Sequence, residues 1–294
     1  MTLTKGKLTK SSLGASMPSH APLYPSISAD EKWDWTNIDV VIVDYLTDEK
    51  VATEILPEQC SLVPIPNALG QAASKLILAN YRGGSLEPYY EIVQGIPCIH
   101  NEQLFMYVAN IYVTTDSAMA AGREIWGFPK KIADVTFENN GGDFKIEVSR
   151  QGHKLISCSF KEGGKLVSVP LPANESIELP PPYNMNWPLP PANGTPQPIV
   201  LPIMTLRHIP NFHGCNDQWA TVQLVGTNWS LDKGEMTVGE AALDFYPSEK
   251  DPIAKLPVNM ILDAVLYRGD MSLSGNAASL LEDIKTSAET AVSR

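Results

Sequence analysis

Lys130 and Lys131 follow one another in the run Gly122-Arg123-Glu124-Ile125-Trp126-Gly127-Phe128-Pro129-Lys130-Lys131-Ile132. Adjacent ammonium groups normally face water, yet Ile125, Trp126, Phe128, Pro129 and Ile132 surround this pair, so at least one charge is expected to be poorly solvated. Desolvation favours the neutral amine, and a neutral amine attacks ketones and aldehydes. The protonated imine that results draws electrons from the adjacent carbon and serves decarboxylation, retro-aldol cleavage or enamine formation. An ordinary lysine is neutral in only about one part in 2,500 at pH 7, a deficit of about 4.6 kcal/mol. A second ammonium ~8 Å away at an effective dielectric of ~20 supplies about 2 kcal/mol of this. Neighbouring side chains of an extended segment point to opposite faces, which makes the separation larger still. Burial of Lys130 is therefore assigned the greater share of its activation and Lys131 the lesser. The competing interpretation is a solvated lysine pair opening a strand.

Elements that position the pair follow from local pattern. Gln103 to Thr114 alternates as a long strand, and Thr115 or Asp116 caps the helix-favouring run S-A-M-A-A-G-R-E-I, whose end is signalled by Gly127 and Pro129. Tyr89 to Pro97 is apolar apart from Glu91 and Gln94, which marks Glu91 as an isolated carboxylate. Upstream, I-D-V-V-I-V-D-Y at residues 38–45 has the β-branched content of a buried strand. Thr47 is read as the cap of a short helix ended by Pro57. Ala73 to Tyr81 forms a strand followed by the loop Arg82-Gly83-Gly84. Lys131 to Phe137, Asp143 to Arg150 and His153 to Phe160 form an antiparallel meander broken at Asn-Asn-Gly-Gly and Gln-Gly. Strand character resumes at Ile199 to Ile209, Trp219 to Thr227, Met236 to Phe245 and Val258 to Tyr267.

This pattern divides the 294 residues into a tail over 1–25, one domain over 26–272 and a terminal helix over 273–294 with an apolar stripe through Ala278, Leu281 and Ile284. Eleven prolines between 170 and 202 identify that stretch as a surface loop or oligomer arm. A formal charge of −11 argues against nucleic-acid and anionic-membrane partners. No window reaches the ~18 apolar residues of a membrane span, and a soluble, cytoplasmic protein is expected. Cys60, Cys98, Cys158 and Cys215 lack the spacing of a zinc site or redox pair, so no metal is expected and the thiols are taken as reduced.

Gly122-Arg123-Glu124 followed by Phe128-Pro129-Lys130-Lys131 resembles the active-site signature of the acetoacetate decarboxylase family, and Tyr89-x-Glu91-x-x-Gln94-x-Ile96-Pro97 resembles a second motif of that family. Weaker similarity at Leu56-Pro57-Glu58 and Ile209-Pro210-Asn211 extends the likeness over roughly residues 30–270. The resemblance implies an α+β, mainly antiparallel β fold, with curved sheets forming a cone or partial barrel and a few flanking helices, assembled as a homo-oligomer. It makes Lys130 the Schiff-base lysine, Lys131 its cationic neighbour and Glu91 a carboxylate in the pocket. Tyr89, Tyr90, Gln94 and Phe128 are taken as candidate substrate contacts, and no metal or organic cofactor is implied.

Two departures stand out. The family's N-terminal arginine has no counterpart in Trp35-Thr36-Asn37-Ile38-Asp39, and counting fifteen positions back from Glu91 to its second glutamate reaches Leu76. Arg82 is the candidate replacement for the carboxylate-binding arginine, against the reading that it faces water. The function expected is a Schiff-base lyase for a small oxo acid, with decarboxylation of a β-keto acid first. Pyruvate aldol condensation and dehydration through the same lysine is second, with Glu91, beside Tyr89 and Tyr90, as acid and base. A non-catalytic β-barrel binder is the alternative of another class.

Overall fold

A computed structural model describes residues 21–25, 32–65, 68–163, 199–209, 221–273 and 279–284. The strands in chain order are β1 (Trp33–Asp48), β2 (Ser61–Leu62), β3 (Gln71–Tyr81), β4 (Tyr89–His100), β5 (Gln103–Val113), β6 (Lys130–Ile132), β7 (Asp134–Asn140), β8 (Asp143–Arg150), β9 (His153–Glu162), β10 (Ile199–Ile209), β11 (Thr221–Phe245), β12 (Met260–Leu273) and β13 (Ser279–Asp283). Helices α1 (Glu49–Ile55) and α2 (Asp116–Ala121) are short. Strand order β10-β5-β4-β3-β1-β12-β11 closes on itself because β11 also pairs with β10, giving a ring-like partial barrel. Pairing is antiparallel except where β10 and β6 run parallel to β5.

Period-two alternation divides the core. Ile38, Val40 and Ile42 of β1 join Ile77 and Ala79 of β3, Val93 of β4 and Ile111 of β5 inside the ring. Val41, Val43 and Tyr45 face outward and join Leu76, Leu78 and Ile92 against a second layer, β7-β8-β9. β11 carries the chain between the layers, pairing with β12 through Val238 and with β9 from Gly239. Burial on both faces explains why β1 reads as a continuous apolar run.

Several local expectations change. Asp48, not Thr47, caps α1, accepting from the backbone N–H of Lys50 and Val51; Thr47 still belongs to β1. The two strands expected within 219–245 are one, because a bulge between Leu231 and Lys233 keeps β11 in register with β12 through Asp-Lys-Gly. Pro202 lies in β10 opposite Asn228, just before β10 joins β5 at Ile203, where a missing N–H is tolerated. Residues 170–198 of the proline-rich stretch lie outside the described residues.

At the C-terminal end, Ser279–Asp283 is strand β13, not helix. It pairs with Gln223–Gly226 of β11, and Leu281 lies over Gly226, where a side chain would crowd it. An open strand edge competes well with a short helix that has little to pack against. Of the tail, Tyr24 is buried against Trp33.

Candidate active site

Lys130 opens β6, and its cross-strand partner on β5 is Ile111, which faces the ring interior. The approach to it is an unusual helix end. Thr115 caps α2 by accepting from the Ala118 N–H, and Gly122–Trp126 continues as one π-helical turn closed by Gly127 in the left-handed conformation. The Phe128 N–H then donates to the Gly122 carbonyl at 3.0 Å, and Arg123 Nη1 donates to the Lys130 carbonyl at 3.2 Å. Glu124 accepts from Tyr24 Oη at 2.8 Å, while the Trp126 carbonyl accepts from Thr205 Oγ1 at 2.5 Å. The signature residues thus hold a backbone turn that delivers one lysine. Gly122 serves it by absence: a Cβ there would lie 2.4 Å from Lys130 Cδ.

The Lys130 side chain is 8% exposed and that of Glu91 is 3% exposed, and Lys130 Nζ lies 2.7 Å from Glu91 Oε2. The ammonium also sits 5.9 Å from the Tyr89 ring centroid and 5.7 Å from that of Phe128. Tyr81 Oη donates to Glu91 Oε1 at 3.4 Å. Burial, and next the charge of Glu91, hold the phenols of Tyr81 and Tyr89 far above their ordinary range, so both remain neutral O–H groups. Around the pair is a small cavity walled by Trp33, Trp35, Tyr81, Tyr89, Trp126 and Phe128. The rings touch in sequence: Tyr89 stacks on Tyr81 at 4.6 Å, Trp35 follows at 5.3 Å, and Trp33 meets Trp126 edge-on at 5.4 Å.

Of the residues singled out from sequence, Lys130, Glu91, Tyr89 and Phe128 meet here. Four do not. Lys131 points to the opposite face, where its ammonium binds Asp251 at 2.8 Å and the Lys250 carbonyl at 2.7 Å. It therefore belongs to the packing of β6 and not to the cavity. Tyr90 and Gln94 lie on the outer face of β4, because only alternate residues accompany Glu91 inward. Tyr90 stacks on Phe137 of β7 at 5.6 Å, and Gln94 donates to Tyr45 Oη at 2.8 Å and to the Ile253 carbonyl at 3.1 Å. Arg82 is paired with Asp39 and donates to the Asn37 carbonyl at 2.6 Å, outside the cavity. Residues absent from the sequence reading are the aromatic walls, above all Trp33 and Trp35. Their i, i+2 spacing at the head of a strand was the signal that both face one side.

Among the described residues no cluster of His, Cys, Asp or Glu is arranged to hold a metal ion. Cys60, Cys98 and Cys158 are free thiols, and Cys215 lies outside the described residues. No described helix is long and apolar enough to cross a membrane.

Comparison with known proteins places this geometry. The model of the acetoacetate decarboxylase family matches residues 16–280. Acetoacetate decarboxylase 3 of Mesorhizobium japonicum is 27% identical over 185 residues, which are 63% of this chain and 62% of that relative. The acetoacetate decarboxylase of Burkholderia ambifaria is 24% identical over 267 residues, covering 87% and 90% of the two chains. Among solved structures, the acetoacetate decarboxylase of Legionella pneumophila superposes with a TM-score of 0.67 at 19% identity, covering 96% of this chain and 99% of that one. The enduracididine biosynthesis enzyme MppR, bound to the condensation product of pyruvate and imidazole 4-carboxaldehyde, superposes with a TM-score of 0.65 at 16% identity, covering 96% and 100%. Both superpositions share the ring-like fold.

Proposed function

This chain belongs to the acetoacetate decarboxylase family, and from that premise we propose that it is a carbon–carbon lyase that works through a Schiff base on Lys130. The observation that carries the proposal is the 2.7 Å approach of a buried ammonium to a buried carboxylate at the wall of an aromatic cavity. A proton passing from Nζ to Oε2 leaves a free amine and a carboxylic acid.

The steps then balance on these two groups. The Nζ lone pair adds to the substrate carbonyl carbon, and the alkoxide oxygen so formed takes one of the two protons on the now cationic nitrogen, giving a carbinolamine. Glu91 returns its proton to that hydroxyl, water departs, and the nitrogen pair forms the iminium. The positive charge once carried by the ammonium is now on the iminium, opposite an ionised Glu91. Glu91 next removes a proton from the adjacent carbon to give an enamine, and it can protonate the oxygen of an aldehyde that the enamine attacks.

Decarboxylation and aldol chemistry both draw on this iminium. The curated acetoacetate decarboxylases among the relatives support the first. A carboxylate placed to act as base beside the iminium favours the second. MppR, with its bound aldol-type condensation product, supports it also.

The test is deuterium exchange at the methyl groups of acetone in heavy water, followed by nuclear magnetic resonance. Enamine formation requires exchange that depends on Lys130. Equal exchange with wild type and Lys130→Met would reject the lysine mechanism and leave the non-catalytic binder.

A further inference from the structure

The turn that delivers Lys130, Gly122–Trp126, is a single π-helical turn, a rare element whose last carbonyls find no partner within the helix. The Gly122 carbonyl is satisfied from inside the signature, by the Gly127 and Phe128 N–H groups. Two other carbonyls are satisfied from a distant strand. Thr205 Oγ1 donates to the Trp126 carbonyl at 2.5 Å, and Arg207 Nη2 donates to the Glu124 carbonyl at 3.2 Å. Both donors belong to β10, which shares no sequence with the signature.

Sheet geometry explains why β10 reaches the turn. One edge of β5 is taken by β4; along the other, β10 pairs in parallel with Met106 and Tyr107, and β6 pairs in parallel with Ile111–Val113. β10 leaves β5 after Met204, so Thr205 and Arg207 follow in the gap before Lys130 opens β6. They alternate onto one face with Ile203, which is buried in the ring interior. Thr205 is buried, and Arg207 is anchored at its far end by Nη1 donating to Gln223 Oε1 of β11 at 3.1 Å. Gly127 admits the arginine, since a Cβ there would lie 2.4 Å from Arg207 Cβ. The turn in turn supports the nucleophile: the Lys130 N–H donates to the Phe128 carbonyl at 2.7 Å, and Gly122 lies against the Lys130 side chain. A shift of the turn therefore moves Nζ relative to Glu91.

Resting on Lys130 as the nucleophile, we infer that Thr205 and Arg207 are positioning residues for the Schiff-base step, which lock the π-helical turn from β10 and so hold Lys130 Nζ beside Glu91 at the cavity wall. Neither residue lines the cavity, so their effect passes through the turn.

The experiment measures trapping of acetone on Lys130 of the full chain across a range of acetone concentrations, with cyanoborohydride in excess so that imine formation limits the rate. Lys130 and the ketone lose water to form the iminium, and cyanoborohydride delivers hydride to its carbon, leaving a stable secondary amine. Thr205→Val keeps the side-chain shape and removes the donor. Its limiting rate should fall about tenfold, while the half-saturating acetone concentration stays within about twofold of wild type. Thr205→Ser, which keeps the hydroxyl, should return the limiting rate to within about twofold of wild type. Arg207→Met, at a partly buried position, should lower the limiting rate about 3- to 10-fold, and it decides the matter if Thr205→Val does not fold. A purely structural role would lower the melting temperature and leave the limiting rate of the folded protein unchanged. Limiting rates equal to wild type in the folded variants would therefore overturn the inference and leave the Schiff-base mechanism standing. A rate in Thr205→Ser as low as in Thr205→Val would overturn the part assigned to the hydroxyl. Absence of any adduct on Lys130 of the wild type would remove the Schiff-base mechanism itself, and this inference with it.

Discussion

Lys130 and Lys131, adjacent in sequence, face opposite sides of β6: one ammonium meets Glu91 in the ring interior, the other meets Asp251 against the outer layer. The lysine pair is thus two separate ion pairs, each on its own face of the strand.

Lys131→Ala should accordingly cost stability more than chemistry. It removes one cation from Asp251, which is left with Arg150 Nε at 3.3 Å. Because the Lys131 side chain is 35% exposed, the loss should be on the order of 1–2 kcal/mol, below that of a fully buried pair. Thermal melting should report that loss, and Lys130 adduct formation in the folded variant should stay within about twofold of wild type.

Gly122→Ala should do the reverse. Its new methyl would meet Lys130 Cδ at 2.4 Å and Cε at 2.5 Å, so the amine must leave its place beside Glu91. A displacement of this size is expected to slow adduct formation about 100-fold. The measurement is a single-turnover trapping rate with the melting temperature checked alongside; an unchanged rate would show that the lysine does not react from its observed position.

Glu91→Gln keeps the shape of the site and removes its base. Adduct formation and deuterium exchange near neutrality should fall about 100- to 1,000-fold. Hydroxide can partly replace the carboxylate, so the shortfall in adduct formation should narrow as pH is raised. A variant as active as wild type at pH 7 would assign the proton transfers to another group.

Far along the ring interior from the cavity, Asp44 of β1 lies between Lys75 of β3, with which it forms an ion pair, and Asp263 of β12. Burial, and then the Asp44 carboxylate, push the Asp263 carboxyl up from 3.8 to about 7, against the lowering effect of Lys75. Between about pH 4 and 7 the folded chain therefore holds a proton that the unfolded chain has released, and stability falls as pH rises through that window. After allowance for partial exposure the effect is on the order of 2 kcal/mol. Asp263→Asn should flatten this part of the stability profile in denaturant titrations; a slope equal to wild type would place the proton elsewhere.

The sequence made the two charges of the candidate site legible and most of their surroundings illegible, for reasons that particular residues display. Lys130 and Glu91 stand out because each is a charge in an apolar run. Strand content was equally plain, since β-branched runs such as residues 38–45 have few alternatives. Which neighbours accompany a charge inward depends on pleat phase: the sequence reading grouped Tyr89 with Tyr90 where the pleat separates them, and it kept Lys131 as a minor partner of Lys130 although an extended pair was expected to point to opposite faces. Arg82 was a candidate because a loop arginine has no fixed direction until Asp39 is placed opposite it. The aromatic wall is assembled across β1, β3, β4 and the π-helical turn, contacts that no local window contains. The C-terminal segment shows the same limit: its helical stripe was real, but an open edge of β11 decided its conformation.

The most direct measurement of the account as a whole is peptide mass mapping after cyanoborohydride trapping with a small carbonyl compound. One reduced adduct on Lys130, lost in Lys130→Met and retained in Lys131→Ala, is the result predicted. An adduct on Lys131, or none on either lysine, would contradict it.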